Sequence, residues 1–197
     1  LRARLTVLYA ALFGAAMILV SLAVYGAIAA NAERTVRNEL TATGAVFDLS
    51  DIGPSLGQAG KLSDLAEFSK AAVATILSAD ALVIASPVYK GSYSGLFKHL
   101  FDLLDPVSLA GKPILLAATG GGDRHALIIE HQLRPLFGFF EAQTLATGVY
   151  ASNTDFTAGQ PAAPALLMRL DRAVDQFAPW FARRQTAQAQ MLILELL

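Results

Sequence analysis

One stretch constrains the fold of this chain more than any other: residues 81–95, ALVIASPVYKGSYSG. Ala81, Leu82, Val83, Ile84 and Ala85 carry no charge and include a β-branched pair, which suits a strand buried on both faces of a sheet. Pro87 has no N–H to give to a ladder and is expected to end the strand. Gly91 and Gly95 permit close backbone approach, while Tyr89 and Tyr93 offer flat amphipathic walls. A loop at the carboxyl end of a buried strand is where open α/β sheets take their ligands, and these residues suit a planar heterocycle.

The flanking sequence repeats the strand-then-helix pattern. Residues 46–49 read as the end of a short strand, 50–61 as a loop rich in Gly and Pro, and 62–79 as an amphipathic helix. A helix is expected over 96–104, ending before Pro106. A second uncharged strand, ILLAAT, ends at Thr119 and runs into Gly120, Gly121, Gly122 and Asp123. A helix over 124–140 with a kink at Pro135, a third strand over 144–150 and a last helix over 163–184 complete the pattern. Strands alternating with helices at this spacing predict an α/β domain with a parallel sheet and right-handed crossovers.

The bulk properties exclude several functions. The 197 residues carry a net charge of −1 and no basic stripe, so a nucleic-acid partner is not expected. The absence of cysteine removes disulfides, thiolate metal sites and Cys nucleophiles. His125 and His131 do not share a helix face as i, i+4 ligands do, so no metal site is expected. Glu67, Lys70, Asp171 and Arg172 read as solvated helix charges, and His99 as lying on an exposed or interface side of its helix. No Ser/His/Asp set or carboxylate pair stands out.

At the amino end the composition changes. Hydrophobic residues make up 54% of the chain and mean hydropathy is +0.48, high for a chain that meets only water. Much of this lies in residues 5–30, which carry no charge and as a helix would span about 39 Å, enough to cross a bilayer core with tilt. A membrane anchor is the expectation; a cleavable leader ending near AIAANA and a buried core helix are the alternatives. Arg2 and Arg4 before the run balance Arg34 and Arg37 after it, which leaves the orientation open. Residues 1–45 resemble, in composition, the amino-terminal membrane segment of bacterial sensor histidine kinases.

The segments SPVYKGSYSGLFKHLFDLL, GKPILLAATGGGDRHALIIEHQLRPLF and TGVYASNTDF carry a more specific resemblance. From about residue 46 to 184 the chain resembles the NADPH-dependent FMN reductases of flavodoxin-like fold, in the branch that supplies reduced flavin to two-component alkanesulfonate monooxygenases. The resemblance implies FMN and NADPH as cofactors and a flavin-dependent monooxygenase as partner. It implies that Pro87, Val88, Tyr89, Lys90, Gly91, Ser92, Tyr93 and Ser94 lie against the isoalloxazine ring. Thr119, Gly120, Gly121, Gly122 and Asp123 would meet its other edge through backbone groups. The helix over 125–137 would serve a homo-oligomer interface and contain a π-type insertion near His131. Lys90 and Arg124 are candidates for the nucleotide phosphates by charge and position.

Against that family, the first strand and its Ser/Thr/Gly-rich phosphate turn are missing, and the hydrophobic run of residues 5–30 stands in their place. The expected organisation is a transmembrane helix with a polar extension over 1–45, an incomplete flavodoxin-like domain over 46–184 and a tail over 185–197. The tail's MLILELL is expected to be exposed and aggregation-prone. The reductase part is expected on the cytoplasmic side, with the chain membrane-anchored if residues 5–30 are retained. The competing reading is a non-catalytic, membrane-anchored interaction module or a fusion remnant that binds no flavin.

Overall fold

The computed structural model describes residues 43–182 and 190–195. The strands are β1 (Thr43–Phe47), β2 (Ala81–Pro87), β3 (Pro113–Gly120), β4 (Gln143–Thr144), β5 (Val149–Ser152), the small pair β6 (Phe156–Thr157) and β7 (Gln160–Pro161), and β8 (Gln190–Glu195). The α-helices are α1 (Leu49–Ile52), α2 (Glu67–Ser78), α3 (Gly95–Asp102), α4 (Arg134–Phe139), α5 (Pro164–Asp175) and α6 (Ala178–Ala182). The main sheet runs β1-β8-β2-β3-β4, with β5 also paired to β3, and all its pairings are parallel.

The two long apolar strands divide their side chains between two cores, as the two-residue repeat of a pleated strand requires. Leu82, Ile84, Ile114, Leu116 and Ala118 face one side and pack with α1, α2, α3 and α4. Ala81, Val83, Ala85, Leu115 and Ala117 face the other and pack with Leu166, Leu170, Val174, Phe177 and Phe181. On the first side Phe97, Phe101, Phe137 and Phe140 interlock, with Phe101 and Phe137 edge to face at 4.9 Å. Both faces are covered, which is why β2 and β3 are uniformly hydrophobic.

The element boundaries depart from the sequence reading in informative ways. The strand expected to end at Leu49 ends at Phe47, because Asp48 caps α1 by accepting from the Ser50 and Asp51 N–H groups. The helix expected from residue 62 begins at Glu67, after a separate turn over Leu62–Asp64. The third strand is two short pieces, β4 and β5, and the last helix is interrupted between Asp175 and Ala178. The helix expected over 124–140 is a composite: a 3₁₀ turn at Asp123–His125, a π-helix at Ile129–Leu133, then α4. Pro135 sits in the first turn of α4, where its missing N–H is tolerated.

The largest correction concerns the tail. Gln190–Glu195 is not an exposed appendage but the central strand β8, registered on Thr43–Phe47 on one side and on Ala81–Ala85 on the other. It occupies the place that the first strand holds in the 2-1-3-4-5 order, so the strand read as missing has a substitute and β1 and β2 are both paired on their inner edges. The domain therefore does not end at residue 184. Residues 5–30 and the polar extension to 42 lie outside the described residues; among the described ones no helix is long and apolar enough to cross a membrane.

Candidate functional site

The sheet places the two turns singled out by sequence side by side. β2 and β3 are in register to their last residues, with Pro87 opposite Thr119, and Val88 N–H donates to Thr119 O at 2.8 Å. Pro87 ends β2 as expected, as the strand's last residue, and the last bond to β3 comes from the Val88 N–H.

Beyond Val88 the chain folds into a two-residue hairpin. Tyr89 N–H donates to Ser92 O at 2.8 Å and Ser92 N–H to Tyr89 O at 3.1 Å. Lys90 and Gly91 form the tip with φ of 52° and 88°, the left-handed pair that a mirror-image turn demands and that Gly91 adopts without strain. The N–H groups of Lys90 and Gly91 have no partner among the described residues. Tyr89 and Lys90 are exposed, and a Cβ placed on Gly91 meets open space.

Not every residue of the loop is free for a ligand. Tyr93 stacks on Phe97 at 5.2 Å and is tied to the core. Ser94 caps α3, its Oγ accepting from Phe97 N–H at 3.2 Å. Ser92 Oγ donates to Gln132 Oε1 at 3.2 Å, reaching the π-helix.

The second turn is shaped by a residue that sequence reasoning passed over. Tyr150, on β5, donates its hydroxyl to Gly122 O at 2.6 Å. A Cβ on Gly120 would lie 2.3 Å from that hydroxyl oxygen, so glycine is required there by packing. Burial first, then the negative charges of Asp123 and Asp155, push the Tyr150 phenol above its ordinary value and keep the donor protonated. Gly121 and Gly122 N–H groups are without partners among the described residues, and the space beside Gly122 is open. The only hint of Tyr150 in the sequence is an aromatic at the end of a strand that neighbours a GGG turn.

The arrangement thus offers two sets of unpaired backbone donors, an exposed tyrosine face and a hydrogen bond fixing the distance between the turns. Such donors suit the polar edge of a flat conjugated ring and any negative charge it gains. Lys90, Asp123 and Arg124 lie exposed at the rim. His99, expected on an exposed or interface side, has Nε2 buried and without a hydrogen-bond partner among the described residues. A cavity of about 270 Å³ lies at the opposite end of the sheet, beside Asp80, Lys112 and Trp180, away from both turns.

Residues 21–157 match the profile of the family described as NADPH-dependent FMN reductase. The chain belongs to that family. The match begins at residue 21, ahead of the expected boundary at 46, and these matches give the sensor-kinase resemblance no support. Over 136 residues the chain is 48% identical to the NADH-dependent FMN reductase SfnF of Pseudomonas fluorescens, covering 69% of this chain and 73% of that protein. Over 139 residues it is 49% identical to an FMN reductase (NADPH) of Pseudomonas aeruginosa, covering 71% and 75% respectively. Among solved structures, an oxidoreductase from Corynebacterium diphtheriae superposes with a TM-score of 0.62 at 31% identity, over 85% of this chain and 87% of that one.

FMN and a reduced nicotinamide nucleotide are the cofactors of the family. In donor chemistry the unpaired amides of the two turns match the acceptor-bearing edge of a flavin ring.

Proposed function

We propose that this chain catalyses NAD(P)H-dependent reduction of FMN and passes the reduced flavin to a partner monooxygenase. When bound, the nicotinamide and flavin supply the hydride donor and acceptor, so the protein's task is alignment rather than acid–base chemistry. The hairpin of Tyr89–Ser92 would bind one edge of the ring through the Lys90 and Gly91 amides, with Tyr89 as a wall excluding water. The turn over Gly120–Asp123 would hold the other edge through the Gly121 and Gly122 amides. Pro87, Val88 and Thr119 keep the two turns together. Lys90 and Arg124 are placed to meet nucleotide phosphates. Relatives named for NADH and for NADPH both stand near this chain, which supports either nucleotide as donor.

The observation that carries this reading is the Val88–Thr119 bond joining two turns whose Lys90, Gly91, Gly121 and Gly122 amides have no acceptor among the described residues. We place the chemistry on the cytoplasmic side, where reduced nicotinamide is available, and propose a homo-oligomer. The exposure of Leu127 (64%) and Phe139 (67%) at either end of the π-helical segment supports that assembly. The test is titration of the purified chain with FMN, followed by nicotinamide oxidation. Saturable quenching of flavin emission and FMN-dependent oxidation are expected; no saturable change rejects the proposal.

A further inference from the structure

The flavin hairpin is held at its root but not, by itself, in orientation. Its two cross-strand bonds between Tyr89 and Ser92 fix its internal shape, and Val88 N–H to Thr119 O fixes where it leaves the sheet. Val88 and Tyr93 hold its two ends to the core, and the tip over Lys90 and Gly91 projects beyond both. Among the described residues, one side-chain hydrogen bond ties the hairpin to another element: Ser92 Oγ to Gln132 Oε1, across 40 positions of sequence.

Gln132 is half-buried in the π-helix, next to the core residue Leu133. Ile128 is 5% exposed, Phe140 is 2% exposed, and Leu136 packs against the same core. The half-buried Gln132 amide takes the hairpin hydroxyl as partner. The segment that carries it is anchored. Arg134 Nε donates to Glu130 Oε2 at 2.6 Å, and its Nη1 reaches Thr144 Oγ1 and Leu145 O, both at 2.9 Å. The π-helix is thereby fixed to the loop between β4 and β5 and gives Gln132 a rigid base.

We propose that Gln132 is a positioning residue for FMN, acting through Ser92 to hold the hairpin in the orientation that presents the Lys90 and Gly91 amides to the ring. This rests on the functional reading above, and the experiment separates the two. Hydrogen exchange in flavin-free protein is measured at the Tyr89 and Ser92 amides for wild type, Q132L, Q132E and S92A, alongside FMN binding by fluorescence quenching and global melting. Q132L and S92A are each expected to speed exchange at these two amides and to weaken FMN binding about fivefold, the loss of one hydrogen bond. The double variant Q132L/S92A should lose no more than either alone, and Q132E, which keeps an acceptor for Ser92, should restore slow hairpin exchange. A merely structural role would instead speed exchange throughout the sheet and make the two losses additive. Hairpin exchange in Q132L equal to wild type overturns the inference, whatever the flavin result. A wild-type chain that leaves FMN emission unquenched refutes the functional reading instead.

Discussion

The contact between Gly120 and Tyr150 allows a sharp test of how the second turn is built. In G120A the new methyl would lie 2.3 Å from the Tyr150 hydroxyl oxygen and 3.2 Å from its Cζ. The ring has to move by about 1 Å to restore ordinary contact distance, and the hydroxyl is held at 2.6 Å by Gly122 O. Overpacking of this kind costs about 1–3 kcal/mol, and the forfeited hydrogen bond adds about 1 kcal/mol. A loss of about 2–4 kcal/mol lowers the melting temperature by roughly 5–15 °C in a chain of this size. Y150F supplies the control, because without the hydroxyl the nearest remaining atom is Cζ, and a shift of a few tenths of an ångström accommodates the methyl. Y150F alone should cost about 1 kcal/mol, and adding G120A to it should cost clearly less than G120A costs in wild type. Thermal melts of the four proteins measure the coupling, and FMN titrations of the same set should show weaker binding in G120A, whose turn is displaced. If G120A melts with wild type, or if Y150F gives no relief, the packing argument is wrong.

Two further predictions concern the scaffold. Deleting residues 190–195 strips the central strand from two ladders, and each buried group left unpaired costs about 1–3 kcal/mol against a total stability of only ~5–15 kcal/mol. The truncated chain should show no cooperative melt by circular dichroism; one that melts like the full chain sinks the assignment of β8. The hydrogen bond from Arg134 holds the Glu130 carboxyl below its ordinary range, against an opposing push from burial. That contribution is present above the unfolded carboxylate value of about 4.3 and is lost as pH falls through the lower folded value. With Glu130 half exposed it amounts to less than about 1 kcal/mol, so E130Q should flatten the acid limb of stability against pH only slightly, and less so in high salt. An unchanged acid limb at low salt rules the pair out as a contributor.

What was legible in the sequence follows from how local its cause is. Residues 81–87 and 113–120 read as strands because both of their faces are buried, so the whole run is apolar and no partner need be known. The two turns were legible because proline and glycine punctuate the chain directly after those runs. Tyr150 was not, since its role depends on a carbonyl 28 positions away. The π-helix gave no sign in residue periodicity: Pro135 suggests a kink, and only the family resemblance implied an insertion near His131. The split of the last helix and the late start of α2 are settled by packing and turn contacts that periodicity does not register.

The tail strand shows the same limit from the other side. A short aliphatic run such as MLILELL satisfies the local criteria for a strand, but which edge it pairs with is a property of the rest of the sheet. Here the demand was visible: β1 and β2 in a doubly wound sheet need a parallel neighbour between them, and an unmet inner position is costly enough to prevent folding. Any apolar strand that reaches that gap with the right polarity relieves the cost, whatever its place in the sequence. In its register Glu195 stands level with Ala85, two residues before Pro87. The central strand therefore reaches the root of the Tyr89–Ser92 hairpin, and the pairing that closes the sheet also fixes the platform from which that hairpin projects. Loss of β8 should consequently abolish FMN binding together with the fold, whereas loss of Gln132 should weaken binding in a sheet that stays intact.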